Sequence, residues 1–101
     1  MLLPGAEALG MNHRQCLELL ESAEDTLNFL TSTLTYLIYA ESQQPQPNVA
    51  LISAWKASQQ EVIDAEHALP GSDVAAYQQA ILTYSKRSRE LRPLVDRYKA
   101  N

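Results

Sequence analysis

Cys16, Leu20, Ala23, Leu27, Leu30, Leu34 and Leu37 alternate steps of four and three residues. That alternation holds one apolar seam on one side of an α-helix through three heptads. A strand cannot use it, because its side chains change face at every residue. Leu19, Phe29 and Tyr36 lie about 100° to one side and widen the seam. A helix apolar over so wide an arc can touch two neighbours. Thr31, Thr33 and Thr35 favour sheet taken alone, but the heptad runs straight through them and no partner strand is visible. The segment from about Asn12 to Gln43 is therefore predicted to be one helix, opened by an Asn12–Gln15 capping box.

Two breaks bound the rest. Gln43-Gln44-Pro45-Gln46-Pro47-Asn48 ends the first segment, and Leu69-Pro70-Gly71-Ser72 ends the second. Asn48, and Ser72 or Asp73, can cap the helices that follow. Leu51, Trp55, Ser58, Val62, Ala65 and Leu69 repeat the heptad spacing in the second segment, with Ile52 and Ile63 on one flank. Ala50, Ala54, Ala57 and Ala68 form the other flank, where another helix is expected to approach closely. Val74, Tyr77, Ile81, Tyr84, Ser88, Leu91, Val95 and Tyr98 carry the third segment. Pro93 falls inside it without shifting its phase, which predicts a bent helix or two collinear ones.

At 101 residues, 46% of them hydrophobic, the chain can build one core and not two. The expected fold is all-α: an antiparallel up-down-up three-helix bundle with coiled-coil-like heptad packing, its third helix kinked at Pro93. Residues 12–101 form the expected domain and residues 1–11 a flexible N-terminal tail. The first ten residues lack a basic start, and Pro4-Gly5 interrupts their apolar stretch, which argues against a secretory signal. No apolar run approaches the roughly 20 residues of a membrane span. The single cysteine, Cys16, excludes an internal disulfide framework and fits a reducing cytoplasm.

Charge is unevenly distributed. Residues 1–71 carry about −7 and residues 72–101 about +3, within a total of −4. An up-down-up path turns this asymmetry into two poles. Glu18, Glu21, Glu24, Asp25, Glu61 and Asp64 belong to the acidic pole, and Lys86, Arg87, Arg89, Arg92 and Lys99 to the basic one. Part of the basic pole can be neutralised locally, since Lys86–Glu90 and Arg92–Asp96 are each four apart. Tyr36, Leu37, Ile38 and Tyr39 are apolar all round the helix, which marks Tyr36, Ile38 and Tyr39 as a candidate interface for a partner or a second copy.

Three chemistries compete with simple binding. Arg89, Arg92 and Lys99 share a ridge that could follow phosphates, but Tyr77, Tyr84 and Tyr98 lie on the core seam and the net charge is negative, which disfavours nucleic acid. His13-x-x-Cys16 and Asp64-x-x-His67 could come together as zinc ligands, yet Cys16 lies on the seam and Asp64 and His67 do not. Glu18-x-x-Glu21 and Glu24-Asp25 face Glu61-x-x-Asp64 across an antiparallel pair, a set able to share a divalent cation. This last pattern resembles the all-helical nucleotide pyrophosphohydrolases of the MazG class, which join a glutamate cluster to a later ExxD. The resemblance implies magnesium and a nucleoside triphosphate. The family's doubled glutamate is missing, and Glu18 and Asp25 point about 140–160° from the seam. No GxSxG, glycine-rich phosphate loop or HExxH is present. The sequence therefore predicts a non-enzymatic, cofactor-free protein that binds another protein or itself as a homodimer. Nucleic-acid binding and magnesium-dependent hydrolysis are the alternatives.

Overall fold

The computed structural model describes residues 10–100. Three α-helices, α1 (His13–Ser42), α2 (Val49–Ala68) and α3 (Val74–Ala100), make up the fold, with one 3₁₀ turn at Leu69–Gly71 ahead of α3. The described residues contain no strand. The fold is the expected all-α three-helix bundle, running up, down and up. Most of the expected tail, residues 1–9, lies outside the described residues.

Each helix starts where a side chain satisfies its first amides. Asn12 Oδ1 accepts from the Gln15 N–H at 2.8 Å, and Gln15 Oε1 accepts from the Asn12 N–H at 2.9 Å. This is the capping box read from the sequence. Met11 precedes the cap and packs with Cys16, Val74 and Leu19. It acts as the hydrophobic staple of α1 rather than as part of the tail to which the sequence reading assigned it. Asn48 Oδ1 accepts from the Leu51 N–H at 3.0 Å, and Asp73 Oδ1 from the Ala76 N–H at 2.9 Å.

The threonine run stays helical for a visible reason. The Thr33 hydroxyl donates to the Phe29 carbonyl and the Thr35 hydroxyl to the Thr31 carbonyl, each at 2.9 Å. Turned back on the preceding turn, these side chains no longer offer the backbone an alternative partner. In α3 the helix continues unbroken across Pro93. Pro93 is exposed, so the Arg89 carbonyl, which loses its amide donor there, can be satisfied by water.

α1 is the spine. Cys16, Ala23, Leu27, Leu30, Leu34 and Leu37 are all at most 2% exposed. α2 and α3 each pack along α1 and barely meet one another. The result is elongated and flattened, measuring 54 × 23 × 14 Å. The alanine flank of α2 was expected to receive a close neighbour, but Ala50, Ala54, Ala57 and Ala68 are all exposed. α3 instead follows α1, where Val74 and Tyr77 find full burial. Apolar area decides this choice, and alanine offers little of it. No helix among the described residues is long and apolar enough to cross a membrane.

Candidate interaction surface

At the far end of the bundle a polar clasp joins all three helices. Glu41 follows Leu37 by one step of four on the α1 seam and is only 9% exposed. Its Oε2 accepts from the Asn48 N–H at 2.8 Å, at the start of α2, and its Oε1 accepts from the Tyr98 hydroxyl near the end of α3. The Tyr98 bond, then the Asn48 amide, hold the Glu41 carboxyl below the usual carboxylate range against the opposing effect of burial. Burial, and then the bond to Glu41, push the Tyr98 phenol up to about 12. The sequence reading did not single out Glu41. The available signal was the seam itself, whose next position after Leu37 is a carboxylate facing the seam of α3.

The candidate charged residues fall into two groups. On the first half of α1, Glu18, Glu21, Glu24 and Asp25 are exposed, and Glu18 Oε1 lies 3.3 Å from Arg14 Nε. Glu61 does not join them. Both its oxygens accept from Arg87, at 2.7 and 2.9 Å, which ties α2 to α3. That bond holds the Glu61 carboxyl low and raises the Arg87 guanidinium. Asp64 Oδ1 accepts from Gln60 Nε2 at 2.9 Å. Among the described residues no three His, Cys, Asp or Glu side chains converge as metal ligands. His13 and His67 are exposed while Cys16 is buried. The zinc set and the magnesium set read from the sequence are therefore not brought together.

Of the candidate basic residues, Arg89, Arg92 and Lys99 line a groove between α1 and α3, while Lys86 lies outside it beside Gln79 and Leu82. The groove's walls include Phe29, Ser32, Thr33 and Tyr36 from α1, and Ser88, Arg89, Arg92, Val95 and Lys99 from α3, around about 490 Å³. Phe29 is 61% exposed at its edge. Lys99 Nζ sits 5.8 Å from the centre of the Tyr36 ring, within cation–π range. Arg92 Nε is 3.0 Å from Asp96 Oδ1, the expected pair, whereas Lys86 and Glu90 form no ion pair. Ser88 Oγ is buried beside the groove without a hydrogen-bond partner. Arg87 belongs to the bridge to Glu61 instead, with its guanidinium 5.1 Å from the Tyr84 ring centre.

Tyr36 and Tyr39 stand one turn apart on the same side of α1, and Ile38 does not join them. Tyr36 faces the groove, Ile38 packs against the core and Tyr39 is 63% exposed. At about 100° per residue Tyr39 lies only about 60° from Tyr36 and Ile38 about 160° from it, so the apolar run is divided between the core and one outer side. Phe29 was expected to widen the seam, but it lies two residues from Leu27 and so about 160° round the helix, which leaves it exposed. Its exposure follows from α3 packing against the adjacent arc of α1. No known protein family matches the chain, and neither does any curated protein or solved structure.

Proposed function

We propose that this chain is a non-enzymatic interaction module that binds an acidic helical segment of a protein in the α1–α3 groove. The observation that carries this reading is Phe29, a large aromatic left 61% exposed beside a concave surface edged by Arg89, Arg92 and Lys99. An aromatic anchor beside cations suits a helix bearing Leu and Glu at i, i+3 and i+4, which lays apolar side chains into the groove and carboxylates on its rim. The cations speed encounter and set orientation, and the aromatic contacts slow release. The buried, unpaired Cys16 fits a reducing compartment, and the cytoplasm is the compartment we assign.

Protein is favoured over nucleic acid by where the side chains are spent. Arg87 is turned to Glu61 and does not line the groove. Tyr77 is fully buried and Tyr98 bonds Glu41, so two of the α3 rings are unavailable for base stacking. The test is titration of a fluorescent helical Glu/Leu peptide of about 20 residues, with a single-stranded oligonucleotide in parallel. Micromolar peptide binding that weakens at least tenfold in Arg89→Glu/Arg92→Glu and in Phe29→Glu is the expected result. Binding of the oligonucleotide in preference to the peptide overturns the reading, as does peptide binding indifferent to these substitutions.

A further inference from the structure

The outward stripe of α1 reads Glu18, Ser22, Asp25, Phe29, Ser32, Tyr36, again in steps of four and three. It lies on the side of the helix away from the buried seam. Its first half is acidic and exposed, and its second half forms the aromatic wall of the groove. The stripe is symmetric about position 27: Glu18 and Tyr36, Ser22 and Ser32, and Asp25 and Phe29 are equally distant from it.

We infer that the acidic segment held in the groove is the first half of α1 from a second copy of this chain, arranged about a two-fold axis at the level of Leu27. This rests on the reading of the groove given above and names its occupant. An antiparallel pair about that axis sets Asp25 of one copy opposite Phe29 and its neighbour Arg89. It sets Glu21 and Ser22 opposite Ser32, Thr33 and Arg92. It sets Glu18 opposite Tyr36 and the Lys99 ammonium that lies over its ring. The two-fold repeats each contact, so one surface supplies both charges, as an isologous interface requires. A parallel pairing would oppose like charges instead. The strip from Glu18 to Tyr36 is about 28 Å long at ~1.5 Å per residue. That is at the small end of stable interfaces, which bury ~1,200 Å² in total, so a concentration-dependent dimer is expected.

Sedimentation equilibrium of the full chain from about 5 to 300 µM tests this. In low salt a monomer–dimer equilibrium is expected, weakened at least tenfold at 0.5 M salt. The acid-reversed chain (Glu18→Lys, Glu21→Lys, Asp25→Lys) and the base-reversed chain (Arg89→Glu, Arg92→Glu, Lys99→Glu) should each sediment as monomers. An equimolar mixture of the two should dimerise, because both contacts are then complementary again. If either reversed chain fails to fold by circular dichroism, Phe29→Glu at an already exposed position replaces it, with a monomer expected. A wild-type monomer over the whole range overturns the inference, and so does a dimer unaffected by Phe29→Glu. A monomer that still binds the Glu/Leu peptide removes the second copy and leaves the groove's function standing. A monomer that binds no peptide removes both.

Discussion

The two ends of this bundle are closed by different chemistry. Where α3 begins, Val74 and Tyr77 are fully buried, Val74 packing with Cys16, and closure is apolar. Toward the end of α3, Leu91, Leu94, Val95 and Tyr98 are only partly buried, and the Glu41 clasp supplements the buried Leu34, Leu37 and Trp55 with polar bonds. The apolar end still shows a partner Leu17, 45% exposed, but its aromatic ring, Tyr77, is spent in the core. The clasped end keeps aromatic and cationic surface in reach of one, because a carboxylate, a phenol and an amide fix the helices there without covering the groove. Tight closure and open surface thus divide the length of one spine.

The sharpest way to break this contrast is to truncate one leucine at each end. Leu69→Ala, at the buried leucine just ahead of α3, should cost ~2–5 kcal/mol by lost transfer energy and the cavity left behind. Leu91→Ala should cost less than ~2 kcal/mol, since its side chain is already partly in water. Urea unfolding at fixed pH measures both. Equal losses would show the two ends to be equally packed.

Next in size is the clasp, and pH reads it. The bonded form of Tyr98 is the neutral phenol, so its stabilisation is complete below an ordinary phenol's ~10 and is lost as the pH rises through about 12. The bonded form of Glu41 is the carboxylate. Its contribution is complete above an ordinary carboxylate's ~4.3 and is lost as the pH falls through its lowered value. Tyr98→Phe should lower the urea midpoint at pH 7, and the gap to wild type should narrow toward pH 3 and above pH 11. A gap constant across that range assigns the closure of this end to something other than the clasp.

Much of this was readable from residue spacing. The α1 seam, the capping box, the capping residues Asn48 and Asp73, and the direction of each helix follow from spacing and cap chemistry, which are local. The separation of α2 from α3 is not local. It depends on whether α3 buries more area on α1 or on the alanine flank of α2, a competition that neither helix reveals alone. Glu41 was obscured for a related reason: a carboxylate on a seam signals a clasp only once its partners, 7 and 57 residues away, are known. Glu61 looked like part of an acidic cluster because its partner Arg87 lies 26 residues away on another helix.

A smaller effect with the opposite sign is expected beneath the groove. Ser88 Oγ has no partner, so its burial is uncompensated, and Ser88→Ala should raise stability by ~1 kcal/mol. The same substitution should leave dimerisation unchanged, because the hydroxyl is not on the rim. A destabilised Ser88→Ala chain would mean that the hydroxyl is satisfied in solution and that the open end is better ordered than its contacts suggest.

The smallest expected effect concerns the Arg87–Glu61 ion pair, which spans α2 and α3. Arg87 and Glu61 meet through two bonds, but their side chains are 36% and 51% exposed, so screening limits their worth to ~1 kcal/mol or less. Arg87→Met keeps the apolar stem over Tyr84 and removes the charge. It should therefore lose ~0.5–1 kcal/mol in low salt and almost nothing in 1 M salt. If instead the loss exceeded ~2 kcal/mol and ignored salt, α2 and α3 would be joined by more than an exposed bridge. The flattened arrangement, in which each leans on α1 and leaves the groove side of α3 uncovered, would then be the wrong description of the open end.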